Sequence, residues 1–163
     1  MWGGWAIDVE IADWVTDRNL KRVLMLGSGE GSLGLAERGH IVYAIEDEPD
    51  YLDKYEHENL NYIYAPLRPY HHKHHVDYFW YNHMILQEIL PNYDVLIVDG
   101  PLGSPNRFGI YHHFKLFKDN TPMIFDDVNR RVEYKAALLI ARRLKKEMII
   151  KNTHQRKQFG LIE

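Results

Sequence analysis

The chain has 163 residues, 45% hydrophobic and 26% charged, with 11 Gly, 7 Pro and no Cys. These proportions exclude a disordered or collagenous chain, and the missing thiols exclude disulfides, thiolate nucleophiles and thiolate-held zinc. The formal charge of -3 offers no global field for a phosphate polymer, so nucleic acid is not favoured as a partner. The length suits one domain spanning 1–163. Its start, Met1-Trp-Gly-Gly-Trp5 followed by Asp8, Glu10 and Asp13, is unlike a signal peptide, and no apolar run nears the roughly 18 residues of a membrane span. A cytoplasmic protein without a membrane anchor is expected.

The first element is an amphipathic helix over 7–18, where Ile7, Ile11, Trp14 and Val15 recur at helical spacing. Arg22-Val-Leu-Met-Leu26 then reads as a strand buried on both faces. It runs into Gly27-Ser-Gly-Glu-Gly31 and a helix over 33–38. Further strands are expected at 41–45, 62–65, 93–98 and 122–125, with a short acidic helix over 48–57 and longer ones over 77–90, 105–117 and 129–145. The last two apolar runs, 147–150 and 158–162, are separated by a polar connection too short for a helix, which predicts an antiparallel hairpin. Alternating strands and helices imply an α/β fold with a doubly wound, mostly parallel sheet and ligand sites at the carboxyl ends of its strands.

Glycines at alternate positions between a strand and a helix let backbone pass close to a ligand. Glu46 and Asp47 close the second strand, where an acid can accept hydrogen bonds from both hydroxyls of a ribose. A tight turn and a solvated helix start before Pro49 account for the same residues more simply. Asp99, Asp126 and Asp127 fall at the ends of two strands that would lie about 4.8 Å apart if adjacent. Converging carboxylates suit a hard cation such as Mg²⁺. The alternative is local: Asp127 caps a helix, Asp126 pairs with Arg130 or Arg107, and Asp99 shapes the Asp99-Gly-Pro101 turn.

The stretches Val23-Leu-Met-Leu-Gly-Ser-Gly-Glu-Gly31, Val42-Tyr-Ala-Ile-Glu-Asp47, Tyr93-Asp-Val-Leu-Ile-Val-Asp-Gly-Pro101 and the terminal hairpin resemble the class I S-adenosylmethionine-dependent methyltransferases over nearly the whole chain. That resemblance implies a Rossmann-like, seven-stranded methyltransferase fold and S-adenosylmethionine as cofactor. Gly27, Ser28, Gly29 and Gly31 would pass under its methionine part, Glu46 and Asp47 would hold the ribose, and Asp99 would border it. The three aspartates are similar to the ligand set of metal-dependent O-methyltransferases, which implies Mg²⁺ and a small-molecule acceptor, in particular a hydroxyl. Asp99, Asp126 and His112 are the candidate catalytic groups. Two other readings fit the same fold: a cofactor-binding protein without catalysis, since substrate-recognition insertions are scarce, and an aminopropyl transferase, which would carry an added amino-terminal β-domain. Monomer and homodimer are equally open.

Other candidates lie outside these motifs. His71-His-Lys-His-His75 reads as a solvated loop, His113 accompanies His112, and Tyr78-Phe-Trp-Tyr81 begins the 77–90 helix with some aromatics facing a cleft or partner. Trp2 and Trp5 could close over a cofactor. Lys151, Arg156 and Lys157 form a basic hairpin tip.

Overall fold

A computed structural model describes residues 7–72, 75–103 and 106–163, with the side chains of 72, 75 and 76 outside that description. Its elements are α1 (Val9–Asp17), β1 (Arg22–Leu26), α2 (Glu30–Glu37), β2 (Ile41–Glu46), β3 (Leu60–Tyr64), β4 (Leu67–His72), β5 (His75–Tyr81), α3 (His83–Ile89), β6 (Val95–Val98), α4 (Gly109–His112), β7 (Met123–Phe125), α5 (Arg131–Leu144), β8 (Met148–Asn152) and β9 (Gln158–Ile162). Short 3-10 turns occupy Pro49–Tyr51, Asn106–Phe108 and Phe114–Leu116.

Seven strands form one sheet in the order β3-β2-β1-β6-β7-β9-β8. The pairings from β3 to β7 are parallel, and β9 runs antiparallel to both β7 and β8. The expected α/β sheet with its closing hairpin is therefore present. Successive strand residues face opposite sides, so the continuous apolar runs feed two cores. Leu24, Leu26, Leu96, Val98 and Phe125 pack with α4, α5 and the β4–β5 hairpin. Val23, Met25, Val95, Ile97 and Ile124 pack with α1 and α2. The chain reverses its winding between β1 and β6, and the crevice at their carboxyl ends is where an open sheet takes a ligand.

Three expected elements differ. Residues 77–81 belong to strand β5, paired with β4 in a separate two-stranded sheet, and only His83–Ile89 is helical. Tyr78 is buried, Phe79 is 52% exposed and Trp80 is fully buried, an alternation over three strand residues, and Tyr81 at the strand's end is buried as well. His71 accordingly lies in β4, not a loop, and bonds Asp77 at 2.8 Å. The acidic stretch 48–57 makes one 3-10 turn only, since Glu48, Asp50, Asp53 and Glu56 repel within a short segment. The 105–117 helix is broken into the 3-10 turns flanking α4. Trp2 and Trp5 lie outside the described residues. Among the described residues no helix is long and apolar enough to cross a membrane.

Candidate functional site

A cleft of about 640 Å³ opens at the carboxyl ends of β1, β2, β6 and β7. Its floor is made by Gly27 and Gly100, which follow β1 and the last residue after β6. Gly27 has φ +90, and a Cβ there would sit 3.3 Å from the Gly100 nitrogen. A Cβ on Gly100 would meet both the Tyr81 hydroxyl and Gly27. The two backbones thus pass too closely for side chains, and the floor stays low enough for a ligand to lie on it.

The expected cofactor residues separate into two groups. Gly27, Ser28, Glu46, Asp47 and Asp99 all line the cleft. Gly29 and Gly31 do not, although a Cβ on Gly29 would enter open space. Gly31 faces the amino-terminal segment, where a Cβ would collide with Ile7 Cγ1 and approach the Ile7 nitrogen to 3.1 Å. Its glycine serves packing of α2 against the residues before α1.

Glu46 is buried, and its carboxylate is already engaged. Oε2 accepts from the Ser28 N–H at 3.2 Å and donation by Ser28 Oγ at 2.5 Å. Oε1 accepts from the N–H groups of Asp47 at 2.8 Å and Glu48 at 3.0 Å. It ties the glycine loop to the end of β2. Asp47 has only its backbone in these bonds, and its carboxyl is pushed up to about 6 by burial and by the charges of Glu46 and Glu48.

Across the cleft, Asp99, Asp126 and Asp127 each place one oxygen within 4.8 Å of the others. Asp127 reaches inward because its backbone takes φ +56, a left-handed conformation that aspartate tolerates. Its N–H donates to Asp126 Oδ1 at 2.8 Å. Arg107, 5% exposed, spans the group: it donates to Asp99 Oδ1 and to Asp127 Oδ2, both at 3.2 Å, and lies 3.8 Å from Glu133. Arg130 adds a 3.0 Å contact to Asp127. Burial and the Asp126 charge push Asp99 up despite Arg107, while burial and Asp127 push Asp126 up to about 6. The three carboxylates converge as a metal site requires, but the arginines pair with Asp99 and Asp127 and not, as expected, with Asp126.

The oxygens of Asp99, Asp126 and Asp127 converge closely enough for a single cation to draw one from each carboxylate. Arg107 uses one oxygen each of Asp99 and Asp127, and each carboxylate has a second. The donor set fits a hard divalent cation.

His112 does not line the cleft: its ring stacks on Tyr78 with centroids 5.1 Å apart and packs on Phe108 and Tyr111. The structure thus places it against the β4–β5 hairpin and apart from the other candidate catalytic residues, Asp99 and Asp126, which line the cleft. His113 stacks on Trp80 and bonds the Tyr78 hydroxyl at 3.1 Å, and burial holds its imidazole down to about 4. Conversely, Lys157 from the hairpin tip reaches the cleft wall. Tyr81, one of the aromatics of 78–81 expected to face a cleft or partner, also lines it, and so do Leu67 and Tyr51, which were not anticipated.

No family model and no curated protein sequence matches this chain. Solved structures do. A caffeoyl-CoA O-methyltransferase-like protein from Staphylococcus aureus is 17% identical over 94% of this chain and 80% of that one, with a TM-score of 0.58. Magnesium protoporphyrin IX methyltransferase from Synechocystis PCC 6803, solved with bound S-adenosylmethionine, is 14% identical over 94% and 74%, at 0.51. The methyltransferase of the mycinamycin pathway, solved with Mg, S-adenosylhomocysteine (SAH) and mycinamycin VI, is 13% identical over 97% and 48%, at 0.51. The fold is that of the class I S-adenosylmethionine-dependent methyltransferases.

Proposed function

We propose that the chain transfers a methyl group from S-adenosylmethionine to a hydroxyl of a small molecule, with Mg²⁺ held by Asp99, Asp126 and Asp127. The observation that carries this reading is the placement of a glycine floor and three converging carboxylates on one cleft at the switch point of this fold. The cleft has six carboxylates (Glu46, Asp47, Glu48, Asp99, Asp126, Asp127) against three cationic side chains (Arg107, Arg130, Lys157). That balance repels phosphate groups and favours a ligand with a positive centre, as a sulfonium has.

Bound at the cluster, a divalent cation would lower the pKa of an acceptor hydroxyl and orient it. The remaining work is done by the chain. The Asp126 carboxylate, in the cluster beside the acceptor, takes the hydroxyl proton. The oxygen then forms the new C–O bond as the C–S bond breaks, and the thioether leaves with the bonding pair. Arg107 holds Asp99 and Asp127 in fixed rotamers, so the carboxylates need little reorganisation.

Titration calorimetry with S-adenosylmethionine and SAH tests the first step: binding of both is expected, and no binding at millimolar concentration rejects methyl transfer. A panel of phenolic and sugar hydroxyl acceptors tests the second. Turnover should vanish with EDTA and return with Mg²⁺, whereas EDTA-resistant turnover would leave Arg107 and Arg130 to balance the cluster.

A further inference from the structure

Strand β8 ends the sheet, with β9 on its inner flank and no strand on its outer one among the described residues. Ile149 and Ile150 are 42% and 43% exposed although they point to opposite faces of the sheet. What they share is the open edge. Two contacts fix which main-chain groups that edge presents. Thr153 donates its N–H to the Lys157 carbonyl at 3.0 Å, and the Gln158 carbonyl accepts from the Val128 N–H at 2.9 Å, on the side away from β8. Bonded positions alternate in an antiparallel pair, so Thr153, Lys151 and Ile149 bond towards β9, while Asn152, Ile150 and Met148 turn their N–H and C=O groups outward. An apolar open edge is a template for another strand, and a lysine on it commonly guards against pairing. Lys151 has a counterpart that such a guard lacks. Glu147 lies on the same face, four residues earlier or about 13 Å along the strand, too far to pair with it. Both are exposed, and neither takes part in an ion pair among the described residues.

We infer that β8 pairs antiparallel with β8 of a second copy of this chain about a two-fold axis at Ile149, so that Glu147 of each copy faces Lys151 of the other. Only outward-facing residues exchange main-chain bonds, which restricts the register to alternate positions. With Ile149 opposite the partner's Ile149, Met148 and Ile150 bond the partner's Ile150 and Met148, and both charged positions meet an opposite charge. One step of register in one direction sets Lys151 against the partner's Ile149, and one step in the other sets it against the partner's Lys145. Charge and apolar matching therefore select one register. The contact is isologous and closes at two chains, joining their sheets into one. A pair of five-residue strands is smaller than a standard interface, so the dimer should dissociate on dilution.

Sedimentation velocity on the intact protein, from about 1 to about 100 µM, should show a monomer–dimer equilibrium. Glu147→Lys and Lys151→Glu each set like charges opposite one another at two places and should weaken the dimer about tenfold or more, with the Tm of the monomer unchanged because both sites are exposed. Combining the two substitutions in one chain restores both pairs and should restore the dimer, and an equimolar mixture of the two single variants should form the heterodimer. The register has a direct readout because the chain has no cysteine. Across a pair that exchanges no main-chain bonds the Cα atoms stand about 4.5 Å apart, within disulfide reach, so Ile149→Cys should link two chains on mild oxidation. Ile150→Cys, which faces the partner's Met148, should link them far more slowly. A wild type that stays monomeric throughout, a dimer indifferent to both charge reversals, or reversals that their combination does not rescue would overturn the proposal. Assemblies larger than a dimer would do the same, since two-fold pairing at one edge cannot extend.

Discussion

Gly31 shows how one residue type serves two purposes within five positions. In Gly27-Ser-Gly-Glu-Gly31 the alternate glycines read as one ligand-binding feature, but only the first lies on the cleft floor. Gly27 needs its positive φ and its closeness to Gly100. Gly31 instead lies against Ile7, and Gly31→Ala would overpack that contact. Overpacking costs roughly 1–3 kcal/mol, a Tm loss of several degrees for a chain of this size. The expected result is a lower Tm with SAH affinity unchanged once the protein is folded. A tenfold loss of affinity at constant Tm would return Gly31 to the cofactor site. A one-dimensional pattern could not separate these roles, because what opposes Gly31 comes from a segment more than twenty residues earlier.

At the scale of elements, the strands were legible wherever both faces are covered, since β1, β2, β6 and β7 are continuous apolar runs with no amphipathic alternative. The acids at their ends were legible for the same reason: strand ends fix the rim. The β4–β5 hairpin was not. Tyr78-Phe-Trp-Tyr81 has aromatics at every position, so it carries no polar alternation to distinguish period 2 from 3.6, and its partner strand contains Pro69, which weakens a strand reading. What selects the strand is tertiary. Trp80 lies flat against the start of α4, where a Cβ on Gly109 would stand 2.5 Å from Trp80 Cε3. Gly109→Ala should therefore displace the hairpin and, with it, the adjoining Tyr81. In contrast to Gly31→Ala, it should lower both the Tm and the affinity for SAH. A Tm loss with intact affinity would show that the hairpin and the cleft are mechanically independent.

For the whole molecule, the cleft concentrates negative charge that a nearly neutral chain does not advertise, and the consequence is a particular pH dependence of stability. Asp47 and Asp126 have folded values raised to about 6, against an ordinary carboxyl near 4, and Asp99 is raised too. Below about 6 the folded state takes up protons that the unfolded chain does not bind until nearer 4, so these groups increase stability as pH falls through that window. His113 opposes them. Its folded value is held down to about 4, so between roughly 6.5 and 4 the unfolded chain binds the extra proton and stability falls with pH. Three raised carboxyls outweigh one lowered imidazole, and the metal-free Tm should rise between pH 7.5 and about 5. His113→Gln should steepen that rise, and Asp126→Asn should flatten it while raising the Tm at pH 7.5. Saturating Mg²⁺ reverses the slope. The cation binds only ionised carboxylates, so it stabilises the folded state at pH 7.5 by mass action and is displaced by protons towards pH 5. Thermal scans from pH 5 to 7.5, in EDTA and in Mg²⁺, should give curves that converge at the acid end and separate at neutral pH. Asp126→Asn should bring them together throughout. Identical curves for the wild type in the two buffers would reject the metal and leave Arg107 and Arg130 to balance the cluster.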